Sequence, residues 1–142
     1  MSNTRRAAVR VLLILALLLA VALIGIRHAP IYLPRIEAEH PEPGAHRVFG
    51  YATLTNPLVR FVVVGHPVPS RPAALDGFTR DGRDLIPAPG SGVEGRVFEV
   101  DAVGLRRLDR YEYLGQVYDR VEMPLQDGSP AWVYLMRGDV ED

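Results

Sequence analysis

The sequence predicts an α+β fold: a small mixed or mostly antiparallel β-barrel with one or two packed helices, preceded by a single N-terminal transmembrane helix. Three observations predict it. An unbroken apolar run over residues 11–26 is bracketed by Arg10 and Arg27. From residue 46 onward, short β-branched and aromatic segments, separated by Gly, Pro and Asp-Gly turns, outnumber helical patterns. One later stretch, 102–112, repeats its apolar residues at helical spacing.

Residues 1–10 are a basic head containing Arg5, Arg6 and Arg10. A helix over 11–26 spans roughly 24 Å at about 1.5 Å per residue, against a hydrocarbon core of about 30 Å. Arg10 and Arg27 can extend it by snorkelling to the two interfaces. The expected anchor is therefore 11–27. Ala20-Val21-Ala22 has the small-x-small form of a signal cleavage site, but Leu23, Ile24, Gly25 and Ile26 stay apolar where a signal turns polar, so a retained anchor is the expectation. The Arg excess ahead of the run places the N-terminus in the cytoplasm. The domain then faces outward, into a periplasm or other extracytoplasmic space.

No acidic residue precedes Glu37, so all 17 lie in the body, where twelve Arg leave a formal charge of −5. An acidic body excludes nucleic acid as an expected partner, since phosphate binding needs clustered cations. The 16 basic residues are all Arg, and Cys is absent. Disulfides, thiolate metal sites and a Cys nucleophile are thereby excluded. His28, His40, His46 and His66 have no ligand spacing on any expected element, so no metal and no cofactor are expected. Ser70 and Ser91 lack a nucleophile-elbow context, and the Gly-rich stretch 90–95 lacks a Walker pattern.

Residues 28–45, rich in Pro and polar side chains, read as a linker, and the packed domain as 46–142. The first strand is expected at 48–54. Asn56-Pro57 reads as an N-cap followed by Pro at the first helical position, opening a short helix or a strand over 58–64. Residues 66–72 read as irregular, 73–79 as a strand ended by Asp81-Gly82, 87–92 as a loop, and 93–100 as a strand with Val93, Val97 and Phe98 inward. Asp101 caps a helix over 102–112. Strands 117–125 and 131–136 form a hairpin about Asp127-Gly128, with Trp132 and Tyr134 as sheet aromatics.

The helix holds the informative carboxylate. Leu105, Leu108 and Glu112 stand at i, i+3 and i+7, one face, while Arg106, Arg107, Asp109 and Arg110 are assigned to the others. The apolar face must pack on the sheet, so Glu112 projects toward the interior or a cleft, where desolvation favours its protonated form and suits it to acid/base work. Two alternatives stand beside this reading. The helix can end at Tyr111 with Glu112 in solvent, or Glu112 can be buried in a pair with Arg120 or Arg96.

Several blocks in order resemble the γ-glutamylcyclotransferase-like family, which includes plant avirulence-induced proteins and bacterial relatives. They are Val48-Phe49-Gly50-Tyr51-Ala52-Thr53-Leu54; Pro72-Ala73-Ala74-Leu75-Asp76-Gly77-Phe78; Gly92-Val93-Glu94-Gly95; Val97-Phe98-Glu99-Val100-Asp101; Leu105-Arg106-Arg107-Leu108-Asp109-Arg110-Tyr111-Glu112; Tyr118-Asp119-Arg120-Val121; and Ala131-Trp132-Val133-Tyr134. The resemblance implies a small β-barrel with flanking helices. It implies a γ-glutamyl amine or peptide as small-molecule substrate, cyclised to 5-oxoproline with release of the amine. It puts the acid/base on Glu112 and the substrate-binding turn on Tyr51, Ala52, Thr53 and Leu54, with Tyr118 as a further lining residue. The family usually has Gly where Ala52 stands, and many relatives have a small residue at Tyr113. The functional expectation is a membrane-anchored cyclotransferase. The alternative is a non-catalytic module binding a ligand or a protein partner through the same cavity.

Overall fold

The computed structural model describes residues 3–28 and 40–138. The chain divides into two compact units, Met1–Tyr32 and Leu33–Asp142. The first is a single helix, α1 (Asn3–His28), whose apolar side chains between Val9 and Leu23 are exposed all round. Among the described residues no helix is long and apolar enough to cross a membrane, so α1 lends no support to a transmembrane span over 11–27. The physical reason is length: the apolar run supplies about 24 Å, short of the roughly 30 Å needed. Of the linker expected at 28–45, residues 29–39 lie outside the described residues, as do 139–142 at the end of the domain.

Five strands form the sheet of the second unit: β1 (Ala45–Gly50), β2 (Ser70–Asp81), β3 (Asp84–Asp101), β4 (Tyr118–Pro124) and β5 (Pro130–Met136), in the order β2-β3-β1-β5-β4. Every pairing is antiparallel except β1 with β5, which is parallel through Val48 and Trp132. The sheet is therefore mixed. It is curled enough that the two hairpins at its ends touch. The Gln126 amide donates to the Ala74 carbonyl at 2.8 Å, and the Tyr118 hydroxyl donates to Asp84.

Strand alternation gives this sheet two cores. Phe49, Val93, Val97, Ala131, Val133 and Leu135 point into the curl with Leu75, Phe78 and Leu85. Val48, Phe98, Val100 and Tyr134 point outward, under α2 (Pro57–Val64) and α3 (Ala102–Tyr111). Val93 and Val97 are thus inside as expected, while Phe98, equally buried, belongs to the helix-covered face. Gly95 lets the strands approach: a Cβ there would stand 2.5 Å from the Gly50 carbonyl oxygen and 2.7 Å from the Phe49 ring.

Several local expectations are corrected. The first strand ends at Gly50 rather than running to 54, because residues 52–55 wind into a 3₁₀ turn, Ala52–Thr55. Residues 58–64, open from sequence between a short helix and a strand, are helical despite three consecutive Val: Asn56 accepts from the Leu58 amide at 2.9 Å, Pro57 fills the first turn, and Gly65 at φ +93 ends the helix. These end signals outweigh β-branched propensity. Strand β2 begins at Ser70, inside the stretch read as irregular. Residues 87–92 are not a loop. They lie within the 18-residue β3, where the register against β2 shifts: Pro87 pairs with Phe78 and Gly92 with Asp76, so residues 88–91 bulge out opposite the single Gly77, at φ +85. A bulge bends a hairpin and re-aims its tip, and here it carries the tip, Gly82 and Arg83, toward the mouth of the curl.

Candidate active site

At that end of the sheet lies a cavity of about 280 Å³, lined by Phe49, Tyr51, Ala52, Thr53, Leu54, Arg83, Tyr111, Glu112, Tyr113, Tyr118 and Tyr134. Its size is near the lower end for small-molecule sites, about 300–1,000 Å³. All six residues singled out from sequence line it: Tyr51, Ala52, Thr53, Leu54, Glu112 and Tyr118.

Glu112 reaches the cavity through the way α3 stops. Asp101 caps the start, accepting from the Gly104 amide at 2.7 Å. Leu105 and Leu108 are fully buried, each such side chain contributing about 1.5–3 kcal/mol. The helix ends at Tyr111, one residue earlier than expected, and Glu112 is its C-cap. The Leu114 amide then donates to Asp109 O at 2.9 Å and the Tyr113 amide to Arg110 O at 3.2 Å. Those two bonds define a Schellman motif, whose left-handed position usually holds Gly. Here it holds Tyr113 at φ +51. The early helix end therefore does not send Glu112 to solvent; it is half-buried on the cavity wall. Burial pushes its carboxyl up to about 7; Arg83 opposes that shift and Asp84 adds to it.

The turn opposite is built equally closely. Ala52 sits at φ +49, where a Cβ costs roughly 1–2 kcal/mol. Ala52 and Tyr113, the two departures from the family pattern, are the two non-Gly residues with positive φ among the described residues. The Thr55 hydroxyl donates to Ala52 O at 2.6 Å, and Tyr111 donates to the Thr53 hydroxyl at 3.1 Å. From behind, the buried Arg60 guanidinium donates to Leu54 O at 2.8 Å and Thr55 O at 2.9 Å. The first N–H groups of such a turn have no intrahelical acceptor. The Leu54 side chain itself belongs to the outer core.

Tyr51 donates its hydroxyl to the Tyr134 carbonyl, and burial, then the Glu112 charge, raises its pKa. Tyr134 in turn donates to Asp109 at 2.7 Å. Asp109, only 3% exposed, takes Arg120 on both oxygens, at 2.6 Å for Oδ1. The Arg120 guanidinium stacks 4.9 Å from the Trp132 ring centre. The spacing of Leu105, Leu108 and Glu112 assigns Asp109 to the polar faces of α3; it is instead buried, and it is Asp109 rather than Glu112 that pairs with Arg120. Its signal was in the spacing: Asp109 is i+4 from Leu105, hence on the buried face. Arg60 and Arg83 had no such signal, because their positions depend on tertiary contacts and on the bulge. Tyr118 lines the cavity with its hydroxyl proton committed to Asp84.

The chain belongs to the γ-glutamyl cyclotransferase, AIG2-like family, whose model matches residues 48–142. Solved structures give the same fold. A protein from Arabidopsis thaliana superposes with a TM-score of 0.58 at 24% identity, covering 73% of this chain and 76% of its own. A second Arabidopsis thaliana protein gives 0.57 at 23%, covering 73% and 69%. A structure named as a gamma-glutamyl cyclotransferase gives 0.56 at 18%, covering 66% and 67%. No curated protein matches the chain in sequence.

Proposed function

We propose that the protein converts a γ-glutamyl amine or peptide to 5-oxoproline and free amine, with Glu112 as general acid/base. The observation that carries the reading is a half-buried carboxyl, poised near neutrality, facing a strained backbone turn across a cavity of about 280 Å³. The turn at Tyr51, Ala52, Thr53 and Leu54 receives the glutamyl α-carboxylate on the N–H groups of its first residues, Ala52 and Thr53; the Leu54 amide is held within the turn, donating to Tyr51 O at 3.2 Å. Glu112 takes a proton from the α-ammonium, and the freed amine attacks the γ-carbonyl carbon. The new C–N bond closes a five-membered ring, the bond to the leaving nitrogen breaks, and Glu112 returns the proton to that nitrogen. Nucleophile and electrophile share one molecule, so holding it folded supplies the orientation term. Tyr118 and Tyr51 wall the site.

A carboxyl near 7 serves both proton transfers, since the ideal catalytic pKa lies near the working pH. The test is 5-oxoproline release from γ-glutamyl dipeptides and γ-glutamylamines by the full chain across pH. Turnover is expected to rise through an apparent pKa near 7, as Glu112 ionises. Glu112→Gln is expected to lower it by several powers of ten, about 10²–10⁴-fold for one acid/base group. A folded Gln variant that keeps full turnover would exclude the role, and a folded wild type releasing nothing favours the non-catalytic binding module.

Attachment to a membrane through residues 11–27, N-terminus cytoplasmic and domain outward, belongs to the same proposal. What speaks for attachment is the apolar side chains of residues 9–23, exposed on every face of α1, the pattern of a helix that water does not suit; a full crossing has no such support, since no helix among the described residues is long and apolar enough.

A further inference from the structure

We infer that Arg83 is a specificity-determining residue of this site: its guanidinium binds a carboxylate carried by the leaving group. This rests on the cyclotransferase reading and goes beyond it, since the turn at residues 51–54 and Glu112 say nothing of what lies beyond the scissile nitrogen.

The hairpin geometry delivers this cation. Asp81 pairs with Asp84, leaving a two-residue loop of Gly82, at φ +58, and Arg83. Glycine at the first loop position suits a tight hairpin turn, and Arg80 braces the loop by donating to Gly82 O at 2.8 Å. Phe78 and Leu85 bury the hairpin's inner face in the core, so the tip is anchored. Arg83 is exposed yet lines the cavity, which places it at the mouth.

Its neighbours leave it available. Asp84, the adjacent carboxylate, accepts the Tyr118 hydroxyl. Among the described residues Arg83 makes no hydrogen bond or ion pair. It acts on Glu112 through space, opposing the upward shift of that carboxyl. A substrate whose glutamyl end lies on the turn and whose reacting nitrogen lies at Glu112 projects its leaving group toward the mouth. A guanidinium there offers several N–H donors in a planar fork matched to a carboxylate. A leaving group without charge gains nothing from it. The site accordingly favours γ-glutamyl amino acids and peptides over γ-glutamyl alkylamines.

γ-Glutamylalanine and γ-glutamylethylamide test this, because they differ by one carboxylate. With the full-length chain, kcat/KM for 5-oxoproline release is expected to be about tenfold higher for the dipeptide, the scale of one charge-assisted contact. Arg83→Met is expected to bring the ratio near one by slowing the dipeptide, and Arg83→Lys to keep part of the preference. Any effect of Arg83 on Glu112 ionisation is common to both substrates and cancels in the ratio. A wild-type ratio of one, or a Met variant that slows both substrates equally and so leaves the ratio unchanged, overturns the assignment. Calorimetric binding in a Glu112→Gln background separates the two proposals. If the wild-type chain turns over neither compound but the dipeptide binds the Glu112→Gln variant more tightly, and adding Arg83→Met removes the difference, the cyclotransferase reading falls and the carboxylate site stands. Equal binding of the two compounds overturns the carboxylate site.

Discussion

Glu112 holds its proton where a solvated glutamate has lost it, and that difference is a free energy. The carboxyl ionises near its ordinary 4.5 in the unfolded chain and near 7 in the folded one, chiefly because burial disfavours the charge. Each pKa unit corresponds to about 1.36 kcal/mol. A folded-state pKa above the unfolded value means full stability below pH 4.5, lost as pH rises to about 7. The loss reaches at most about 3 kcal/mol. Glu112→Gln keeps the shape and cannot ionise. It is therefore expected to be more stable than wild type at pH 8, by up to about 3 kcal/mol, and indistinguishable at pH 4. Urea unfolding followed by Trp132, the single Trp, at the two pH values reads this directly. The same gap at both pH values would mean that Glu112 is not desolvated. A gain in stability with a loss of turnover is the behaviour of a group kept for chemistry at the cost of folding.

The elements show why some of the site was legible before the fold was known. Caps are local chemistry, so Asn56-Pro57 and Asp101 announced both helix starts of the domain. The β4–β5 hairpin followed from alternation about Asp127-Gly128. The spacing of Leu105 and Leu108 pointed Glu112 to the right side of the helix, though it reaches the cavity as the C-cap rather than from within the helix. What failed was whatever depends on strand pairing. Residues 87–92, Pro- and Gly-rich, look like a loop alone; within β3 Pro87 pairs with Phe78 and Gly92 with Asp76, and residues 88–91 bulge between them without a partner on β2. Arg83 lines the cavity from the tip of that hairpin, a placement set by tertiary structure rather than by local sequence. Strain was legible as a condition: Ala52 departs from a family Gly, which is costly only if the backbone there is left-handed, and it is, at φ +49. Relief of that strain, about 1–2 kcal/mol, exceeds the added chain entropy of Gly, about 0.5–1 kcal/mol. Ala52→Gly is thus expected to stabilise the domain by about 0.5–1 kcal/mol, raising its thermal midpoint by several degrees. An unchanged or lowered midpoint would show that the Thr55-to-Ala52 hydrogen bond and its surroundings have removed the strain.

For the whole molecule, the two units ask for different solvents. The body carries a formal charge of −5, counted over the sequence from Pro30, and buries its apolar side chains in two cores. Helix α1 exposes Leu12, Leu13, Leu17, Leu18 and Leu19, each by 59–65%, an arrangement stable only where those side chains leave water. Its apolar run is short for a bilayer, so any attachment relies on Arg10 and Arg27 snorkelling or on local thinning of the lipid. Membrane attachment therefore predicts that full-length chain sediments with membranes, resists high salt and is released by detergent, because burial of apolar area is insensitive to screening while a purely ionic contact is not. Replacing Leu15 and Leu18 by Arg is expected to release the chain, since a charge near the bilayer centre costs about 2.5–3.5 kcal/mol on insertion scales. Release of the unaltered chain by salt alone would instead assign the basic residues 5, 6 and 10 to a surface contact. A chain cut behind Ala22 would identify the segment as a cleaved signal, leaving the acidic body to work without an anchor.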